Sequence, residues 1–370
     1  METVLVGMSG GVDSTVTALL LKEQGYNVIG ARMAIWGTDG QGEPLTTQPR
    51  KKSCYGTNEK QDIEEVRNLC KKIDIPFYDV NCVEQYTKTV LDNFKQEYLS
   101  GRTPNPCIIC NCEIKFGAFP QNAKTQGINF DKFATGHYAR IEQDSDNKYI
   151  LKRGVAHNKD QSYFLYRLSQ EQLSKIILPL GSYTKDEIRA KAKSYGLEVA
   201  EKPDSQDFYS GDYNELLKIQ AKKGNIVDLD GNILGEHNGI WNYTVGQRKG
   251  ICIAAPQALY VLELRKKTNE VVVGYVDKTF KKTLYANNLC WIKGTQEDIK
   301  NSLIELFKTK QITAKFRSTQ QPVEVQASIE SDDTLKVEFI DMQKSITTGQ
   351  SVVLYDGETV IGGGFIDRVE

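Results

Sequence analysis

The 370 residues carry no excess of either charge: 47 lysines and arginines face 48 aspartates and glutamates, for a net charge of −1. Nucleic-acid binding usually leaves a basic footprint in bulk composition, and none is present. A polyanion partner therefore has only local patches to meet, such as Arg50–Lys52, Arg265–Lys267 or Lys278–Lys282, each of which taken alone reads as ordinary solvated charge. No apolar run is long enough to span a bilayer, so no membrane partner is expected. The opening METVLVGMSGG has too short an apolar stretch for a secretory signal, carries an acid and runs straight into a glycine loop, and the expectation is a cytoplasmic protein. There is no internal repeat and no low-complexity linker. Five of the eight cysteines, Cys54, Cys70, Cys82, Cys252 and Cys290, are scattered, which excludes a dense disulfide scaffold. What is present is a 39% hydrophobic, 26% charged composition at a length that predicts two or three domains with a real core.

The first half alternates strand and helix. TVLVGMS reads as a strand, VDSTVTALLLKEQG as a helix with Val12, Val16, Leu19 and Leu20 at helical spacing and Gly25 as its stop. YNVIGARMAI, PFYDVNC and KFATGHYA read as further strands. EKQDIEEVRNLCKKID and EQYTKTVLDNFKQEYLSG read as helices, the first with Ile63, Val66, Leu69 and Cys70 on one face. This order predicts an α/β domain with a parallel sheet covered on both faces. Thr184 and Glu187 form a capping-box pattern opening a helix that stops at Gly196. From about Ser210 the texture changes to Asp-Gly, Asn-Gly and Gly-Asn turns and a hairpin closed at Lys267–Asn269. The last stretch alternates apolar and polar in short runs, ITAKFRS, VEVQASIE, TLKVEFI, SVVLYDG and TVIGGGFID, predicting a small antiparallel barrel or sandwich. The expected domains are residues 1–209, 210–281 and 282–370.

VGMSGGVDST lies between the first strand and helix, where backbone N–H groups and a helix N-terminus attract phosphate. It lacks the Gly-Lys-Ser/Thr end of a Walker loop and the G-x-G-x-x-G spacing of a dinucleotide loop. Ser9 and Ser14 are candidate phosphate donors. Asp13 would repel a bare phosphate, so a magnesium ion between them is expected. The plain alternative is a capped strand-to-helix turn. The full string SGGVDS resembles the pyrophosphate loop of the PP-loop ATP pyrophosphatase superfamily, whose members cleave ATP between the α and β phosphates, adenylate a carbonyl oxygen and let a nucleophile displace AMP.

TPNPCIICNCEIKFG places Cys107, Cys110 and Cys112 within six residues, and no second cysteine pair or histidine at ligand spacing completes a zinc site. Together with GMSGGVDS, ATGHYAR, KDQSYFL, KPDSQDF, YTVGQRKG and TGQSVVLYDG, in that family's order along the chain, the stretch resembles the tRNA-specific 2-thiouridylases. That family thiolates C2 of the wobble uridine of certain tRNAs. It has a Rossmann-like PP-loop domain (of the adenine nucleotide alpha hydrolase type), a small central domain and a C-terminal antiparallel β-barrel.

By position, the resemblance implies that Gly7, Met8, Ser9, Gly10, Gly11, Val12, Asp13 and Ser14 hold the ATP triphosphate, and that Met33 and Gly136 touch adenosine. Cys110 falls on the family nucleophile. Asn105, Pro106 and Cys107 would line the target base, and Lys159, Asp160, Gln161, His137, Arg317, Ser318 and Gln350 would touch tRNA. Without the resemblance, His137 reads as a strand-end histidine with a satisfied hydrogen bond, and Arg317 as a solvated strand residue. Two departures stand out: Cys107 where many members have aspartate, and Tyr209 where the family usually has a second catalytic cysteine. Two sulfur routes stay open. In one, Cys110 carries a persulfide and Cys107 resolves it as a disulfide. In the other, Cys107, Cys110 and a third thiol, Cys54 or Cys112, hold an iron–sulfur cluster that presents sulfide. A protein sulfur donor is implied. The remaining readings are a PP-loop enzyme that adenylates a small molecule for amide formation, against which the thiol pair argues, and a non-catalytic RNA-binding protein, against which the intact loop argues.

Overall fold

The computed structural model describes residues 1–36, 59–197, 208–209, 213–330 and 333–370. Its first unit is a parallel sheet of β1 (Thr3–Gly7), β2 (Asn27–Ala34), β3 (Phe77–Asn81), β4 (Lys132–Ala134) and β7 (Ile176–Ile177), in the order β3-β2-β1-β4-β7. Val4, Leu5 and Val6 are fully buried because the central strand is covered on both faces. One face is packed by α1 (Val12–Glu23), α2 (Glu59–Lys72) and α8 (Lys185–Ser194), whose Val16, Leu20, Val66, Cys70 and Ile188 form one core with Val4 and Val6. The other face carries a longer helical tract. It starts as α3 (Val83–Tyr86), makes a π-helical turn at Thr87–Leu91 and ends as α4 (Asp92–Leu99). A loop then leads to α5 (Pro106–Ile109), a π-helical stretch Cys110–Ala118 and α6 (Phe119–Thr125). Tyr86, Ile108, Ile114 and Phe119 pack there with Leu5. The helix stops read from the sequence are real: Gly25 and Gly196 take positive φ, and the capping box of Thr184 and Glu187 is formed in both directions.

KFATGHYA is a strand only over Lys132–Ala134. From Thr135 the chain leaves the sheet and passes over the glycine loop. It then forms an antiparallel hairpin, β5 (Ala139–Gln143) and β6 (Tyr149–Arg153), that the periodicity did not reveal. This hairpin joins the C-terminal sheet through β6. After α7 (Gln170–Lys175) and α9 (Tyr213–Leu217) comes a four-stranded sheet of β8 (Gly224–Val227), β9 (Ile233–His237), β10 (Tyr260–Arg265) and β11 (Glu270–Gly274). Its core of Ile226, Trp241, Val261 and Val273 also takes in Phe94 and Tyr98 of α4.

The last unit is built from β12 (Phe280–Trp291), α10 (Gln296–Thr309), β13 (Ile312–Lys315), β14 (Val323–Ile329), β15 (Leu335–Lys344), β16 (Ser351–Asp356) and β17 (Thr359–Val369). β12 pairs with both β15 and β17, which closes the sheet into a barrel around Val337, Phe339, Val352 and Leu354. β12 begins at Phe280, so Lys281 and Lys282 of the basic run lie within this closing strand. No helix among the described residues is long and apolar enough to cross a membrane.

Candidate active site

The glycine loop leaves the C-terminal end of β1, where open α/β sheets bind ligands. Gly10 adopts φ +76°, and Gly11 is the N-cap of α1 with no side-chain cap, which leaves first-turn N–H groups for an anion. The eight loop residues do different work. Met8 and Val12 point into the core at 2% and 3% exposure. Ser14 is buried; its hydroxyl donates to the Gly11 carbonyl (3.1 Å) and accepts from Ser9 N–H (3.2 Å). Of the two serines read as phosphate donors, Ser9 is therefore the one with its hydroxyl at the surface.

Asp13, the acid expected to repel a bare phosphate, is paired within the chain. Lys185 Nζ reaches its Oδ1 at 2.9 Å and Oδ2 at 2.8 Å, and the Tyr138 hydroxyl donates to Oδ1 at 2.8 Å. The repulsion that called for magnesium thus has a counter-ion within the chain. Neither partner was singled out from sequence. The available signal was a lysine in the first turn of a capped helix, where the helix dipole disfavours a cation. Gly136 lies against this group: a Cβ there would stand 2.9 Å from both the carbonyl carbon and the Cβ of Asp13. Met33 is half-buried on β2, opposite Val80 of β3.

The cysteine stretch starts α5 and the π-helical segment that follows. Cys107 and Cys110 are half-buried, and Pro106 and Ile108 fix the turn by burial. Cys112 differs. Its Sγ donates to the Arg167 carbonyl (3.4 Å) and contacts Glu113, and burial followed by the Glu113 charge pushes its thiol up to about 12. Cys70 and Cys82, wholly buried, are pushed to about 12 by burial too. Among the described residues no cluster of three or more metal-ligating side chains forms, and Cys54, one proposed third ligand, lies outside the described residues. The other third-ligand candidate, Cys112, has its thiol engaged by the Arg167 carbonyl. Tyr209 is 5% exposed, inside the core cluster on which Cys110 packs.

The barrel holds this stretch in place. Gln350 donates to the carbonyls of Thr103 (3.0 Å) and Pro104 (3.1 Å) and accepts from Asn105 (3.3 Å). Thr103 N–H also bonds the Thr348 carbonyl at 2.9 Å. Gly349 (φ +86°) allows the approach, since a Cβ would lie 2.8 Å from the Thr103 carbonyl oxygen. Arg317, half-buried and lowered by burial, donates to the Ser345 carbonyl, and its guanidinium abuts Gly246 of the YTVGQRKG block. Ser318 follows it, half-buried. Tyr163 donates to the Ser351 carbonyl at 2.9 Å, which docks KDQSYFL on the start of β16.

Three residues expected at a tRNA surface lie inside: Pro106, buried at the start of α5, His137 and Asp160. His137 is 8% exposed, hydrogen-bonded through Nδ1 to Thr135 Oγ1 (2.7 Å) and packed on Phe116. Burial, with Lys115 nearby, holds its pKa well below 6.5. Asp160 has no exposed side-chain surface; it accepts from Gly154 N–H and Ser162 N–H and pairs with Arg153 (3.4 Å) and Lys315 (3.5 Å). A carboxylate with four donors and no access to solvent braces the seam, and it does not meet tRNA in this conformation. Gln161 accepts from Tyr138 N–H at 3.0 Å, and Lys159 is half-buried beside it.

Residues 2–209 match the family profile described as tRNA methyl transferase HUP domain. Residues 216–275 match the tRNA methyl transferase PRC-barrel domain, and residues 281–366 the aminomethyltransferase beta-barrel domain. The chain is 47% identical over 375 residues to the tRNA-specific 2-thiouridylase MnmA of Endomicrobium trichonymphae, covering 99% of this chain and 100% of that protein. It is 44% identical to that of Geotalea uraniireducens (99% and 95% covered) and 43% identical to that of Clostridium botulinum strain Alaska E43 (100% and 98% covered). A likeness at this level, running end to end through all three units, makes the chain a member of the tRNA-specific 2-thiouridylase family.

Proposed function

We propose that the chain carries out ATP-dependent 2-thiolation of the wobble uridine of tRNA, as a tRNA-uridine 2-sulfurtransferase releasing AMP and diphosphate. The observation that carries this reading is the clamp of Gln350 on Thr103, Pro104 and Asn105, which joins the thiol-bearing helix of the nucleotide domain to the barrel. On this reading residues 1–209 handle ATP and sulfur, and residues 210–281 and 282–370 grip tRNA. Asn105 and Cys107 face the base with the buried Pro106 supporting them, and Lys159, Gln161, Arg317, Ser318 and Gln350 lie along the tRNA path. His137 and Asp160 support that path from within.

In the proposed reaction the uridine C2 oxygen bonds to the α-phosphate of ATP as diphosphate leaves. The glycine loop, Met33 and Gly136 orient the nucleotide, and a magnesium ion, if engaged, would be held by Asp13 and would shield phosphate charge. Sulfur then displaces AMP from C2. If Cys110 bears it as a persulfide supplied by a donor protein, the terminal sulfur bonds to C2. Cys107 then attacks Cys110 Sγ, breaking the S–S bond and leaving a Cys107–Cys110 disulfide for a dithiol to reduce. Tyr209 in the core offers no thiol for that step, which makes Cys107 the companion. An iron–sulfur cluster would instead be held by Cys107 and Cys110 as two of its thiolate ligands, and would supply sulfide for the same displacement.

The test is thiolation of transcribed tRNA by full-length protein, with iron measured on the same anaerobic sample. Cys110→Ala is expected to abolish product while ATP binding stays, and Cys107→Ala to be nearly as damaging. Full activity of Cys107→Ala would overturn both sulfur routes. A colourless, iron-free enzyme that still thiolates from a donor would leave the persulfide.

A further inference from the structure

Lys185 is placed where a helix least favours it. It occupies the first position of α8, behind the Thr184 cap, facing the positive end of the dipole. Lysines so placed normally extend into water. This side chain is 7% exposed and turns inward, so that its ammonium bridges both oxygens of Asp13 and lies 5.7 Å from the Tyr138 ring centroid. Asp13 stands in the first turn of α1, beside the loop N–H groups, and keeps 27% of its side chain exposed. A strong cation thus rests on a partly solvated acid at the mouth of an anion site.

Resting on the proposed use of ATP, we infer that Lys185 is a charge-exchange residue of this site. In the free protein its ammonium is paired with Asp13. When ATP enters, it moves to the β- and γ-phosphates, while Asp13 keeps the Tyr138 hydroxyl. In the adenylation step a bond forms from the carbonyl oxygen to the α-phosphorus, and the bond from that phosphorus to the bridging oxygen breaks. The electron pair stays on the departing diphosphate, where Lys185 offsets it. No proton or redox equivalent passes through the lysine. The exchange needs no unfolding, because Asp13 already faces water.

The assignment is tested by calorimetric titration of the full chain with magnesium-ATP, with inorganic diphosphate and with AMP, which lacks the β- and γ-phosphates. Lys185→Met is expected to weaken ATP and diphosphate about 10- to 100-fold, the worth of a charged hydrogen bond. It leaves AMP unchanged, and Lys185→Arg recovers most of the loss. Asp13→Asn, titrated with diphosphate in the absence of magnesium, is expected to bind more tightly, because the resting partner is gone. Equal losses for AMP and ATP in Lys185→Met would mark a merely structural lysine and overturn the assignment. So would unchanged ATP and diphosphate affinities. Should Lys185→Met fail to fold, weaker diphosphate binding by Asp13→Asn overturns it instead. A wild-type chain that binds none of the three ligands overturns the proposed function together with this assignment. A wild type that binds ATP as tightly as Lys185→Met does overturns this assignment alone.

Discussion

Asp13 and Asp160 each meet a lysine, yet Asp13 keeps 27% of its side chain exposed and Asp160 keeps none. At Asp160 the partners are equally sealed: the Arg153 side chain is 9% exposed and that of Lys315 is 2%. Burial lowers the Lys315 pKa, with Asp160 opposing the shift. The first centre can trade one partner for another, because water is at hand to solvate the intermediate arrangement. The second cannot, because every charge in it depends on the other two. Both lie within motif blocks of the same family, so membership of a motif block does not distinguish an acid that water can reach from one sealed in the fold. The ATGHYAR segment joins the two centres: Tyr138 reaches Asp13 with its hydroxyl and Gln161, next to Asp160, with its backbone N–H.

Removing one charge from each centre separates the two most strongly. Asp160→Asn leaves two buried cations unpaired and is expected to cost about 3–5 kcal/mol, read as a fall in the urea midpoint at unchanged slope. Lys185→Met leaves an acid that still has water and a tyrosine hydroxyl, and is expected to cost about 1 kcal/mol. Equal costs would mean that exposure does not separate the two centres. Next in size is the clamp between barrel and cysteine helix. Gln350→Ala strips the side-chain donor from the Thr103 and Pro104 carbonyls and is expected to cost about 1–3 kcal/mol, with a reduced kcat/KM for tRNA at unchanged ATP affinity. Reduced ATP affinity in that variant would show that the clamp also shapes the glycine loop.

The α/β order, the capping box, the glycine loop and the barrel strands were legible because each is written in local periodicity or in turn chemistry. The β5–β6 hairpin was not, because its partner strand β17 lies far along the chain and only three of its ten strand positions, Ala139, Leu151 and Arg153, are buried. β12 was hidden by its lysines, Lys281 and Lys282, which are exposed at the start of a closing strand. At the site, residue types that suit phosphate and sulfur were readable, but the pairings were not. Lys185 with Asp13 spans 172 positions, and Gln350 with Thr103 spans 247. The resemblance puts Asp160 among the residues along the tRNA path, and its burial with Arg153 and Lys315 could not be read from its position in a motif.

His137 gives the smallest effect and tests whether the bridge between the centres is a solvated contact or a packed one. Its folded-state pKa lies well below 6.5 through burial first and Lys115 second. Between that value and the unfolded one near 6.5 the unfolded chain binds the extra proton, so stability is full above this range and falls as the pH drops through it. The slope approaches about 1.4 kcal/mol per pH unit for one such group, so the loss at pH 5.5 is expected to be about 1 kcal/mol. His237 is lowered too, by burial against its Asn269 contact, and adds a share of its own. His137→Gln should therefore flatten the urea-midpoint profile between pH 6.5 and 5.5 while leaving the part due to His237 (about 1.4 kcal/mol per unit at most). A profile as steep as that of the wild type would mean that His137 titrates near its ordinary value, with its ring open to solvent and to tRNA.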